Sequence, residues 1–172
     1  MKRISLLIAF AFTIGTVSCN KTTDPQPSGS SNTNNDYYFT TKVDGADWSA
    51  DMQSTNTFAQ SYHQGSLTIQ AALTDVTAGV YLINLYNYTG AGTYTVGTGG
   101  GNSYARYTTG TAANGSYSAW KAETPGSTTT GTVTITKDES GVIEGTLQFE
   151  GYSEETKTTK QITDGKFRMK KQ

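Results

Sequence analysis

Beyond residue 36, apolar and polar residues alternate with a period of two over most of the chain, the spacing of strands with one covered face. Phe39, Thr41 and Val43 share a face opposite Thr40 and Lys42, and Asp44-Gly45 predicts a turn leading to Trp48, which is assigned to the core. Leu67, Ile69, Ala71 and Leu73 alternate with Ser66, Thr68 and Gln70. From Val80 to Tyr88 both faces are apolar, with Val80, Leu82 and Tyr86 on one and Tyr81, Ile83 and Leu85 on the other, which predicts a central strand covered on both sides.

The C-terminal third reads as a full hairpin. Val133 and Ile135 alternate with threonines, Lys137 to Gly141 makes the turn, and Ile143, Gly145, Leu147 and Phe149 return opposite Glu144, Thr146, Gln148 and Glu150. Thr163-Asp164-Gly165 predicts a second hairpin turn, since Asp-Gly suits the positive φ of a primed turn. The strand after it carries Phe167 and Met169 inward and Lys166, Arg168 and Lys170 outward, a charged stripe of the kind that guards a sheet edge.

The middle, Gly90 to Thr130, is less regular. Gly92 to Gly97 is a short strand between glycines; Tyr104, Arg106 and Thr108 alternate with Ala105 and Tyr107, and Tyr117 and Ala119 with Ser118 and Trp120. No capped stripe of period 3.6 occurs after Asp36, so almost no helix is expected. Nine to eleven short strands over residues 37–172 predict a single all-β domain, an antiparallel β-sandwich with Greek-key or meander connections, with a small β-barrel as the alternative.

The N-terminal end has a different logic. Met1-Lys2-Arg3 is basic, and Ile4 to Val17 is an apolar run of fourteen residues, too short for a span of about 18–20 but the right length for a secretory signal. Thr16-Val17-Ser18-Cys19 resembles a bacterial lipobox, with Thr16 where leucine is commonest. The resemblance implies a signal peptide over 1–18, cleavage before Cys19, acylation of its thiol and attachment to the membrane through that lipid anchor. Asn20 in place of an aspartate implies sorting to the outer membrane, with the periplasmic or cell-surface side left open. The alternative is a non-lipidated secretory signal. Residues 19–36 then form a tether: Asn20 to Asp36 holds two of the three prolines and no aliphatic or aromatic residue, too little apolar area to offset the entropy of ordering.

Charge and composition narrow the function classes. Thirteen basic against fourteen acidic residues, with a pI of about 5.8, argue against a nucleic-acid partner. One histidine and one cysteine exclude His-His and Cys-His catalytic pairs and leave no typical zinc site, so neither cofactor nor metal is expected. His63 sits in a polar stretch and reads as a surface residue. Asp44, Asp47 and Asp51 lie close in sequence, but their spacing is not that of a calcium loop, and turn formation accounts for them better. Gly97 to Asn102 lacks the Lys-Ser/Thr and the helix of a phosphate loop. Glu154-Glu155 with Asp138-Glu139 offers the carboxylates of a glycan hydrolase, the least favoured reading. Tyr104, Tyr107, Tyr117 and Trp120 are the candidates for ligand binding, as a platform for sugar faces or an anchor for a partner, against the reading that they fill the core.

Phe39 to Gly45 followed by Trp48-Ser49-Ala50, then Gly92-Thr93-Tyr94, Gly131 to Thr136 and Ile162 to Phe167, together with the signal and Cys19, resemble a family of small uncharacterised Bacteroidota lipoproteins. The resemblance implies a cell-envelope protein and carries no catalytic residue. The expectation is a non-enzymatic outer-membrane lipoprotein whose domain binds a glycan or an envelope protein or serves a structural role; the alternative is a carbohydrate-binding accessory module of a glycan-uptake system.

Overall fold

A computed structural model describes residues 37–62, 65–99, 103–111, 116–123, 125–127 and 130–172. The signal, Cys19, the tether and His63 lie outside the described residues. Eleven strands are connected in sequence: β1 (Tyr38–Val43), β2 (Ala46–Ser49), β3 (Phe58–Tyr62), β4 (Ser66–Ala72), β5 (Val80–Leu85), β6 (Gly92–Val96), β7 (Tyr104–Thr111), β8 (Ser116–Lys121), β9 (Gly131–Glu139), β10 (Val142–Ser153) and β11 (Thr158–Lys170). A 3-10 turn, Val76–Ala78, is the one helical element among the described residues.

The strands form one antiparallel sheet in the order β2-β1-β11-β10-β8-β7-β5-β4-β3, with β9 pairing Val142 to Phe149 of β10 on the flank that β8 meets at Tyr152, and β6 beside β9. The sheet curls into a half-barrel. One end of the sheet closes back on its interior where Ala59 of β3 bridges Lys171, just past β11, and the Gln172 N–H donates to the Ala59 carbonyl at 2.9 Å. The fold is all-β, as expected; the predicted sandwich and the predicted barrel share this antiparallel architecture, and the unbroken path of strands gives it the barrel-like form.

Period two explains the core. Phe39, Leu67, Ile69, Tyr81, Ile83, Leu85, Val133, Ile135, Ile143, Leu147, Phe149, Ile162, Phe167 and Met169 all point inward and are buried. Aromatic rings supply the volume that a chain poor in leucine lacks: Tyr81 packs 5.3 Å from Phe39, 4.7 Å from Trp48 and 4.9 Å from Tyr107 between ring centroids. The Tyr81 hydroxyl and the buried Thr41 hydroxyl share a hydrogen bond of 2.8 Å, so neither is left unsatisfied. Trp48 packs against the core but remains half-buried, over Gly79, whose φ of 150° and lack of a Cβ make room for the indole.

Three expectations change. β5 is covered on one side: Tyr81, Ile83 and Leu85 are buried, Val80 and Leu82 are half-buried, and Tyr86 is 46% exposed, because a single curled sheet has no second layer outside it. Thr163-Asp164-Gly165 is not a hairpin turn. β11 runs through it, and Asp164, at φ 52°, is the extra residue of a bulge that shifts register against both β1 and β10. Nor is β11 an edge strand: it lies between β1 and β10, and its basic stripe is partly neutralised, with Arg168 paired to Glu144. The hairpins turn instead at Asp44-Gly45 and Ser140-Gly141, both with positive φ at each residue, and around Lys157.

Candidate functional site

β7 and β8 carry the four candidate aromatics, and alternation divides them. Tyr107 and Trp120 face each other across the β7–β8 pair and point inward, 4% and 7% exposed, with ring centroids 6.1 Å apart. Gly151 beneath the indole has no room for a Cβ, which would lie 2.9 Å from that of Trp120. The Trp120 Nε1–H donates to Thr158 Oγ1 at 3.0 Å, and Lys160 lies 4.8 Å over the ring. Both are core residues at one end of the half-barrel, not a ligand platform. Tyr104 and Tyr117 point outward, half-buried and 53% exposed respectively. Tyr117 stands opposite Gly110, six residues beyond Tyr104, so the two lie roughly 20 Å apart at ~3.4 Å per residue and cannot stack on one sugar ring.

The outer face around Tyr104 has more chemistry than its aromatics. Arg106 and Thr108 share that face. Arg106 stands opposite Leu82 of β5 and opposite Lys121 of β8, and Lys121 in turn faces Tyr152 of β10. A row of Leu82, Arg106, Lys121 and Tyr152 therefore crosses four strands, about 14 Å at the usual strand spacing. Two cations directly opposite one another are a destabilising pair. Lys121 has a counter-charge in Glu123, 3.5 Å away. Arg106 has no ion pair among the described residues, and its Nε, like the Thr108 Oγ1, is shut off from water without a hydrogen-bond partner. Arg106 was visible in the sequence only as one member of an alternation; its opposition to Lys121 depends on the β7–β8 register.

Beyond Tyr152 the row opens into a cavity of about 500 Å³, lined by Thr98, Glu123, Pro125, Ser127, Tyr152 and Glu154. A smaller polar groove of about 310 Å³ crosses β9, β10 and β11 over Thr132, Thr134, Thr146 and Gln148.

The acidic candidates do not converge. Asp138 pairs across from Ile143 at one end of β10, whereas Glu154 follows Ser153 at the other. Ten residues of strand separate the two ends, roughly 33 Å, against about 5–9.5 Å for carboxylates that share a glycosidic bond. Asp138 instead accepts hydrogen bonds from the Tyr88 hydroxyl at 2.7 Å and from Lys171. Burial works to raise its pKa, but these two bonds outweigh it and hold the carboxyl below the ordinary value. Asp44, Asp47 and Asp51 also go separate ways. Asp44 accepts from Lys160 and from the Gln161 N–H, both at 2.9 Å, and these bonds lower its pKa against the opposing effect of burial. Asp47 sits opposite Lys42, and Asp51 accepts from the Thr74 hydroxyl and the Gln53 N–H. No three metal-ligating side chains gather among the described residues.

The fold and this face define an all-β half-barrel domain with a cation-bearing, aromatic-flanked outer surface. Residues 35–169 match the model of a domain of unknown function, DUF6252, and the chain belongs to that family. Searches of curated proteins and of solved structures returned no match.

Proposed function

We propose that the protein is a lipoprotein of the Bacteroidota outer membrane, acylated at Cys19, whose half-barrel is a non-enzymatic binding or structural module of the cell envelope. The observation that carries this reading is the division of the chain: an apolar run of signal length ends at the one cysteine, a tether without apolar residues follows, and the first strand begins at Tyr38. A lipid anchor needs no protein span, since acyl chains contribute ~0.8 kcal/mol per buried CH₂. The separation of the acid pairs and the engagement of Asp138 support a role without hydrolysis. Intact mass of the membrane-extracted protein, wild type beside Cys19→Ala, tests the reading. A chain starting at Cys19 with added acyl mass, absent from the variant, is expected; an unacylated chain cut elsewhere refutes the anchor.

The second reading is a carbohydrate-binding accessory module of a glycan-uptake system. It is favoured by the outer face of β7 and β8, where Tyr104 and Tyr117 remain accessible and Arg106 has no ion pair among the described residues. Binding of the extracted protein to an array of bacterial and plant glycans tests it, and an array without a hit refutes it.

A further inference from the structure

We infer that the outer-face row of Leu82, Arg106, Lys121 and Tyr152, with Tyr104 beside it, is a binding site for a saccharide that carries a carboxylate. The inference rests on the carbohydrate reading above and specifies its ligand class. Two observations point to an anion. Arg106 and Lys121 are held opposite each other, an arrangement that costs stability until a negative charge sits between them. Among the described residues Lys121 has an acid of its own, at 3.5 Å, and Arg106 has none. The Arg106 Nε is closed off and unpartnered, so the charge of the guanidinium must be answered at its Nη atoms, which offer a planar pair of donors suited to a carboxylate.

The surroundings select a sugar over an acidic peptide. β5 and β7 are each paired on both sides, and β8 is joined to β10 at Lys121, so at Leu82, Arg106 and Lys121 themselves there is no open strand edge for an extended peptide to join. Tyr104 lies two residues along β7 from Arg106, and Tyr152 lies across from Lys121, so each cation has a half-buried ring as a neighbour, on which the apolar C–H face of a pyranose can rest. The adjoining cavity of about 500 Å³ presents the carboxylates of Glu123 and Glu154 and the Thr98 hydroxyl. Glu123 is paired with Lys121 and Glu154 with Lys157, but each carboxylate keeps lone pairs that accept from sugar hydroxyls, and no further cation lines the cavity among the described residues, so the site fits one uronic-type unit on the cations followed by a neutral, hydroxyl-bearing unit toward the cavity.

The test is calorimetry on the full-length protein extracted in a detergent without a sugar headgroup, titrated with oligogalacturonate, with its methyl ester, and with polyglutamate. Oligogalacturonate is expected to bind, more weakly as salt is raised, with the methyl ester and polyglutamate each at least about tenfold weaker. Arg106→Gln should lose roughly 10- to 100-fold, the worth of a hydrogen bond to a charged group. Lys121→Gln provides a second variant should Arg106→Gln fail to fold, and Lys170→Gln, on an exposed position of β11, should bind as wild type. Equal binding of acid and methyl ester with Arg106→Gln unchanged overturns the carboxylate site and leaves the carbohydrate reading standing. Failure of both saccharides overturns the carboxylate site, while the carbohydrate reading falls only if the glycan array is also without a hit; polyglutamate binding as tightly as oligogalacturonate makes the face an acidic-peptide surface instead.

Discussion

The contact that ties the end of β11 to β9 across β10 can be tested by removing one ammonium group. Lys171 lies where the chain leaves β11; its N–H donates to the Gly141 carbonyl at 2.8 Å, and its Nζ pairs with Asp138, whose side chain is 10% exposed against 26% for the lysine. Breaking a fully buried pair from one side costs about 3–5 kcal/mol, because the other charge is left uncompensated. Here the lysine is a quarter exposed and Asp138 keeps its Tyr88 hydrogen bond, so Lys171→Met should cost about 1–3 kcal/mol. That corresponds to a fall in Tm of about 3–10 °C for a domain of this size. Urea and thermal unfolding of Lys171→Met beside Lys170→Met measure it, the second variant removing an exposed lysine with no ion pair among the described residues.

The pH dependence has a definite sign. The folded pKa of Asp138 is lowered, so its stabilising contribution is present above its ordinary value near 3.8 and lost as pH falls through the folded value. The difference between wild type and Lys171→Met should thus be full above about pH 5 and shrink below about pH 3. In the double variant with Asp138→Asn, the loss should fall short of the sum of the single losses by about 1 kcal/mol or more. If Lys171→Met matches Lys170→Met within about 0.5 kcal/mol at pH 7, the pairing contributes nothing and the reasoning fails.

Gly145→Ala should be strongly destabilising, by about 2–3 kcal/mol or more, since a Cβ there overlaps the Thr134 carbonyl and lies 2.6 Å from the Phe167 ring; chemical denaturation measures it. Tyr81→Phe strands the buried Thr41 hydroxyl and should cost about 1–2 kcal/mol, most of it recovered on adding Thr41→Val, as read from the shift in urea midpoint. Asp164→Ala places a Cβ residue without a local hydrogen-bonding side chain at φ 52° and removes the 3.1 Å pair with Lys42, so it should lose about 1–2 kcal/mol; Asp164→Gly, which tolerates that φ, should lose less.

Where a run of residues alternates cleanly, strand and inward face were both readable before any coordinates. Ile143 to Phe149 and Leu67 to Ala71 face the core as their pattern requires. Alternation assigns two faces but does not say which is covered when both contain aromatics. Tyr104 and Tyr107 are the case in point: only the position of β7 between β5 and β8, with Tyr81 and Trp120 inside, sends Tyr107 inward. Val80 and Leu82 misled in the opposite direction, because apolar residues on both faces suggested two covering layers where the sheet has one. Asp164-Gly165 needs positive φ at the aspartate in a turn or in a bulge alike, and the choice between them is made by Thr41 and Gln148, both distant in sequence. Arg106 is the same lesson at the candidate site, since its charge becomes conspicuous only beside Lys121.

The placement of β11 sets an order of events in time. Residues 162–168 hold β1 on one side, while β10 lies on the other, so Asp44 and Gln161 meet across a separation of 117 residues. The first strand to be made must wait for the eleventh before it has a neighbour other than β2. Sheets dominated by such distant pairings fold in milliseconds to seconds, not microseconds. Throughout that interval the apolar face of Phe39 and the edge of β10 are uncovered, so an incompletely synthesised chain is the species most exposed to wrong pairing. A holdase acting on this protein would therefore have its work concentrated in the period before residue 158 emerges.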